Sequence, residues 1–514
     1  GDPCGSAPAH KTAASGAAYD QSLVFFEATQ AASNNIQALN GNGFQVGTDA
    51  RVNSSSAPNT YYWMAFGPAA PVTQYRSIGS RSTYNPTGFT GGTITVAAGS
   101  MSVTKSGGVG WKSDRRGRGD VLTVGGTSYQ IFAVESDDLL VLTTPAVAGY
   151  TGTSYKIARQ FSTLQGWEYC ISGGSCTYFP VQSSSLVSDN RAEVGVAYSD
   201  SSFLPSASGT PVLVFDGATT DPLHTIRLTV DEGFRHNGTS GGTVVDNRLS
   251  GVTNNPSTAA ILVQDDHVTV EWLEVRYGGC STTACADGVR VSGQVRTDNQ
   301  VVIRSLAIHD IPDASTQARA AGVRVSSPAA SVDVYNTVMW QIYDADGVRL
   351  EPKGPWDGTS RVRILNNSIR FSKGTGQAAY QSAEAVNTNV LLRNNIAYNS
   401  ANESGATGFI FNGSLNTASS HNLSSSNDTT GPAHSPAGGG QSANPSFVGL
   451  NDLHFASAVS PGVNQGADLS ALIPALDIDG QARPAGAWDI GADEYGATTA
   501  VRLASFRATG HDGE

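Results

Sequence analysis

Five residues recur at one phase of the chain and could hold a sugar: Arg276, His309, Trp340, Arg370 and Tyr398. Aromatic faces stack on the apolar side of pyranose rings, and arginine pairs with uronic carboxylates or sulfates. Each residue follows an apolar one (Val275, Ile308, Met339, Ile369, Ala397). If the apolar neighbour points inward on a strand, the five point outward. In stacked strands they would form one solvent-facing strip with rungs about 4.8 Å apart. Strand surfaces favour aromatic and arginine residues anyway, so plain decoration of an exposed sheet is the competing reading.

Acid chemistry has candidates too. Asp310 and Asp313 flank Ile311-Pro312, and Asp344 and Asp346 flank Ala345. A glycoside hydrolase needs paired carboxylates; a polysaccharide lyase needs acids that hold Ca²⁺ and an Arg or Lys that abstracts a proton. Corners also select Asp for turn geometry alone. No motif marks any of these pairs, so the catalytic residues stay unassigned. Asp477, Asp479, Asp489 and Asp493 could bind Ca²⁺, although their spacing matches no standard loop, and turn or cap roles compete. No cofactor is required by anything else in the sequence. A further series, Arg290, Arg324 and Arg349, would repel unless interleaved with acids. Asp287, Asp346, Glu351 and Glu384 sit close to the phase for pairing, so a salt-bridge ladder is expected.

These residues are positioned by a repeat. Val270, Ile303, Val334, Ile364 and Leu392 each sit at the second apolar position of a short strand, about thirty residues apart. A fixed period in this range marks a stacked-repeat fold, because one such strand cannot bury its own face. Asp287-Gly-Val, Ala321-Gly-Val and Asp346-Gly-Val open a second strand in step with the first. Short strands with Gly or Asn corners describe a parallel β-helix. Asn336, Asn366 and Asn394 share one corner, where asparagine tolerates left-handed backbone and could stack as a hydrogen-bonded ladder. Ahead of the coils, Ser162 and Gln165 read as a capping box for a helix. Leu164, Trp167 and Ile171 would share its buried face and cover the open first coil.

Composition agrees with an all-β chain. Only 14% of the 514 residues are charged, 58 are Gly, and the formal charge is −12. That charge argues against nucleic acid or anionic lipid as the main partner. No run of 18 apolar residues is present to span a membrane. Cys170–Cys176 and Cys280–Cys285 are spaced as local disulfides of an oxidising compartment, with Cys4 left over.

The remaining segments resemble known modules. Residues 1–72, with Phe44, Asp49 and Tyr61 to Phe66, resemble the last strands of a β-sandwich of bacterial surface proteins and phage tail fibres. Residues 73–160 alternate as a meander and resemble the small β-barrel joints of such fibres. They include Arg118-Gly119-Asp120, where Asp120 is expected to open a strand rather than to serve adhesion. Residues 161–430 are assigned to the β-helix with its capping helix. Residues 431–498 end in Asp489-Ile-Gly-Ala-Asp493-Glu-Tyr495 and resemble the C-terminal block of secreted bacterial right-handed parallel β-helix repeat proteins. Residues 499–514 are a terminal strand or the start of a further module. The resemblance implies an extracellular, cell-surface location and supplies no reaction.

The sequence therefore favours a secreted structural or adhesive protein, a candidate subunit of an extracellular fibre, with a platform for polysaccharide. The alternative is a polysaccharide lyase or glycoside hydrolase acting on an acidic polysaccharide. Leu23 to Phe26 near the amino end and Val501 to Phe506 near the carboxyl end look like unpaired strands. Strand addition between chains would give self-association into fibres.

Overall fold

The computed structural model describes residues 70–80, 91–248, 258–276, 286–292, 300–312, 320–326, 331–351, 361–372, 378–386, 389–399, 407–425 and 441–497, with five short strands inside residues 9–46. Residues 1–70 and 71–514 are separate compact units. In the first, Gln21–Val24 pairs antiparallel with Ala9–His10 on one edge and Ala31–Ser33 on the other. The strand edge expected to be open at the amino end is thus filled within the chain. Residues 501–506, like Cys4, Cys280, Cys285 and Asp313, lie outside the described residues.

The second unit is a parallel β-helix with three faces of eight, eight and seven strands. Face 1 runs through Val268–Glu271, Gln300–Arg304, Ser331–Tyr335, Val362–Leu365 and Val390–Arg393. Val270, Ile303, Val334, Ile364 and Leu392 are direct neighbours from coil to coil, and all are fully buried. The inward row read from the repeat is the row observed. Face 2 includes Leu273–Arg276, Ala307–Pro312 and Val338–Tyr343; face 3 includes Asp287–Val291, Ala321–Val325 and Asp346–Leu350.

The corner between faces 1 and 2 is made by one residue with left-handed backbone: Trp272, Ser305, Asn336, Asn366 and Asn394, with φ between 48° and 64°. The asparagine ladder is real but sits one residue later than expected. Asn367 Nδ2 donates to Asn395 Oδ1 at 3.0 Å, and Asn395 Nδ2 to Asn422 Oδ1 at 3.1 Å. Each of these amides also donates to a carbonyl on the preceding coil, Val334 and Ile364 respectively. Corner residues Asn336 and Asn394 instead donate to Leu476 and Ala467 of the C-terminal block.

The first strand of face 1 is Val72–Ile78, which pairs parallel with Arg191–Ala197. Residues 91–158 are therefore an insertion between the opening strand and the helix. They form a seven-stranded antiparallel sheet packed around Trp111. Asp120 is buried at the start of Val121–Val124 and ion-paired to Arg159 at 2.9 Å. It cannot serve a surface Arg-Gly-Asp motif.

The helix Leu164–Ile171 follows, its Leu164, Trp167 and Ile171 buried in the β-helix core. Its cap is Thr163, whose hydroxyl accepts from the Gly166 N–H, and not Ser162. Gln165 is used differently: its amide accepts from the N–H and donates to the carbonyl of Val214. Val214 lies on the end strand of face 3, so the helix satisfies the backbone edge that it covers. Cys170 and Cys176 form the expected disulfide at the end of this helix.

Beside the helix lies a buried acid cluster. Burial, with the charges of Glu168 and Asp216, pushes the Asp265 carboxyl up to about 7. Between its ordinary 3.8 and about 7, the folded chain keeps a proton that the unfolded chain has released. This group therefore favours folding at low pH, and its contribution fades as pH rises through about 7. Asp265→Asn keeps the oxygen that accepts from Gly217 and Ala218. We expect D265N to raise the thermal unfolding midpoint by more at pH 8 than at pH 4. Equal shifts at both pH values would show that the Asp265 carboxyl is not held up by its burial.

Candidate functional site

Face 2 carries the sequence-predicted row. Arg276 is the register neighbour of Asp246 and of His309, His309 that of Trp340, and Arg370 that of Tyr398. A register shift between Met339 and Ile342 places Trp340 and Gln341 opposite Arg370. The residues thus share one outward row, as expected. The row is not a solvent-facing strip, however. Trp340 is 2% exposed and His309 5%. The cause is the C-terminal block, which folds back over this face. Leu453, Ile478 and Ala492 pack on Ala307, Val338 and Trp340. Tyr398 stands edge-on to Phe447, and Arg370 donates to the carbonyl of Leu450 at 3.0 Å.

One end of the row remains accessible. Here Arg276 Nε donates to Asp246 at 2.8 Å, with the Arg276 side chain 31% exposed. Arg248 grips the same carboxylate from the side and is 48% exposed. Burial would raise the Asp246 pKa, but the bonds from Arg248 and Arg276 outweigh it and hold it low. Arg276 has no hydrogen bond from its terminal nitrogens among the described residues. Behind this ledge, His309 stacks on Trp340 with ring centroids 4.5 Å apart. Its two nitrogens lie 3.1 Å from Glu274 and 3.1 Å from Asp310. Burial alone would lower the His309 pKa; the hydrogen bonds to Asp310 and Glu274 win and raise it. Glu274 is buried, and also accepts from the N–H groups of Gly241 and Gly242. Asp310, at φ 54°, turns its 47%-exposed carboxylate to the solvent end of this chain. Tyr343, two coil positions along, is 41% exposed. The ledge thus offers guanidinium N–H donors, a carboxylate acceptor and an aromatic ring, the groups that hold an acidic sugar.

The other acidic candidates are placed differently. Asp346 is fully buried on face 3, paired with Arg349 and accepting the Ala378 N–H. It does not project from a corner as a catalytic group would. Asp344 forms the turn before it at φ 52°. Asp310, expected at a corner, instead lies inside the strand Ala307–Pro312, while Asp344 sits at the bend after Val338–Tyr343. The arginine series of face 3 is the expected ladder: Asp287 joins Arg290 to Arg324, and Glu351 joins Arg324 to Arg349. Face 1 has a second ladder, missed in the sequence, in which buried Glu271 accepts from Arg227 and Arg304.

Of the four C-terminal aspartates, two converge. Asp479 and Asp493 meet His454, whose role the sequence did not reveal, with donor atoms within 4.8 Å of one another. Asp489 instead accepts the N–H groups of Asn464 and Tyr495, a turn-fixing role. Asp477 accepts those of Asp479 and Gln481.

No protein-family model matches the chain, and no curated protein matches it; the resemblance drawn from the C-terminal block has no family match behind it. Solved structures do show similarity. A pectin methylesterase from Aspergillus niger is 12% identical, covering 51% of this chain and 86% of its own, at a TM-score of 0.25. Pectate lyase Pel9A is 14% identical over 59% of this chain and 88% of its own, at 0.24. The Gp54 tailspike of Acinetobacter baumannii bacteriophage AP22, solved with a capsular saccharide, is 10% identical over 73% and 62%, at 0.14. Likeness this weak says nothing of what the present chain binds. Among the described residues, no helix is long and apolar enough to cross a membrane.

Proposed function

We propose that this chain is an extracellular structural and adhesive rod that holds an acidic glycan on the Arg248–Arg276 ledge of face 2. The observation that carries the reading is Arg276. Its Nε is anchored on Asp246, which fixes the guanidinium plane, and its terminal N–H groups have no hydrogen bond among the described residues. A pre-oriented planar fork suits a uronate carboxylate or a sulfate. Asp310 and Tyr343 lie further along the face as partners for hydroxyl groups and ring faces. The rod character rests on the ladders, in which Asp287, Glu271 and Glu351 each tie arginines of different strands. The Cys170–Cys176 disulfide fits an oxidising, extracellular setting.

A second reading, a polysaccharide lyase or glycoside hydrolase, has one observation in its favour. Glu274, His309 and Asp310 form a hydrogen-bonded chain with a solvent-side end, which could pass a proton. Affinity electrophoresis through polygalacturonate and through neutral dextran separates the readings. Retardation by the acidic polymer alone is expected, weakening with salt, and falling at least ~10-fold in affinity in R276A, the loss of one charge-assisted pair. Retardation unchanged in R276A would remove the ledge from the account. Release of unsaturated or reducing ends, abolished by D310N, would establish the enzyme instead.

A further inference from the structure

The C-terminal block gathers more buried acid than base. Asp477, Asp489, Asp493 and Glu494 are all at most 6% exposed, whereas buried Arg483 ion-pairs with Glu494. Next to them, His454, Asp479 and Asp493 bring three donor atoms together from three separate segments. The imidazole is already oriented. Its Nδ1 lies 2.5 Å from Asp452 Oδ1, and its Nε2 lies 3.2 Å from Asp479 Oδ1. A carboxylate that accepts a hydrogen bond from Nδ1–H leaves the Nε2 lone pair aimed at the acids, the arrangement of metal-bound histidine. Asp493 accepts the Phe455 N–H with Oδ2, so Oδ1 is left to serve as a ligand.

A separate observation lies outside this trio. Asp477 is 1% exposed, and among the described residues its Oδ2 has no hydrogen-bond partner. Its other oxygen is fixed by the Asp479 and Gln481 N–H groups, and the charges of Asp479 and Asp493 act on it. A buried carboxylate oxygen without a donor is costly unless positive charge lies close by.

We propose that His454, Asp479 and Asp493 bind a divalent cation of the zinc class, with Asp452 orienting the imidazole and Asp477 as the buried acid beside the site. The donor set selects the ion: one imidazole nitrogen with carboxylate oxygens suits zinc-like ions, while calcium takes oxygen ligands. The calcium expected from the aspartates alone is therefore replaced. The site is structural. A Cβ on Gly238 would come within 2.9 Å of His454 Nε2, so coil backbone closes that side. All three ligands belong to the block that covers face 2, and one ion would pin its turns together.

The test is a Co²⁺ titration of the chelator-stripped full chain, followed by visible absorption and by the thermal unfolding midpoint. One Co²⁺ per chain, displaced by Zn²⁺, with a raised midpoint, is expected. Asp493→Asn removes a ligand yet leaves the Asp452–His454–Asp479 chain intact, so it should abolish the visible bands. Asp452→Asn should weaken binding about 10–100-fold, as loss of an orienting carboxylate does. Absence of stoichiometric binding by the wild-type chain would overturn the proposal, as would binding indifferent to both substitutions or a preference for Ca²⁺. Should D493N fail to fold, the wild-type titration and D452N still decide.

Discussion

Replacing Trp340 with alanine is expected to destabilise the C-terminal block by roughly 3–5 kcal/mol, the usual cost of truncating a buried tryptophan. Trp340 is the largest side chain at the contact between face 2 and the block, where it meets Leu453, Ile478 and Ala492. It also supports the ring of His309. Its loss opens a cavity that flanking strands cannot fill, because their positions are fixed by the coil register. The block should then release before the coils do, giving a separate early step in urea unfolding and cleavage near residues 441–450 by protease. Trp340→Phe should retain most of the contact. A single unchanged transition for W340A would mean that the block is held elsewhere.

The asparagine ladder gives the second large effect. Asn395 is fully buried, and its amide donates to Asn422 and to the carbonyls of Ile364 and Arg393. Its oxygen accepts from both the backbone and the side chain of Asn367. Asn395→Ala would leave several of these groups buried without partners, at about 1–3 kcal/mol for each one that water cannot reach. We expect a loss of the order of 3 kcal/mol, on the same basis, with faster amide exchange at Asn367. The control is Asn394→Ala, one residue earlier, which should spare the ladder and loosen only the tie to Ala467. Equal exchange at Asn367 in both variants would contradict the assigned phase.

That one-residue offset shows what the sequence could carry. The period and inward row were legible because core strands alternate strictly, and Val270 to Leu392 repeat at one phase. The corner held Asn366-Asn367 and Asn394-Asn395, so asparagines occupied both positions. Left-handed backbone was correctly placed at the first of each pair. The Asn394 side chain is then turned to Ala467 of the C-terminal block, and the ladder falls to the next residue. The outward phase of face 2 was also legible, but its cover was not. Docking of the block depends on contacts between segments far apart in the chain, such as Arg370 with Leu450 and Trp340 with Ile478. A sign was present all the same: Ala307, Val338 and Ile396 are apolar at an outward phase, and they are buried. Apolar residues facing outward on a strand call for a second layer. His454 escaped notice because its partners, Asp479 and Asp493, are brought to it by turns without a recognisable spacing. The face 3 ladder was readable because arginine and acid recur in step within Asp287 to Glu351.

On the proposed reading, an acidic glycan lies on the ledge made by Arg248, Arg276 and Asp310. Hydrogen exchange measured by mass spectrometry, with and without saturating acidic oligosaccharide, tests it most directly. Slower exchange is expected in peptides spanning residues 243–248, 272–276 and 307–312, with none in residues 121–158. Protection confined to other peptides, or no protection at a concentration where binding is saturated, would contradict the account.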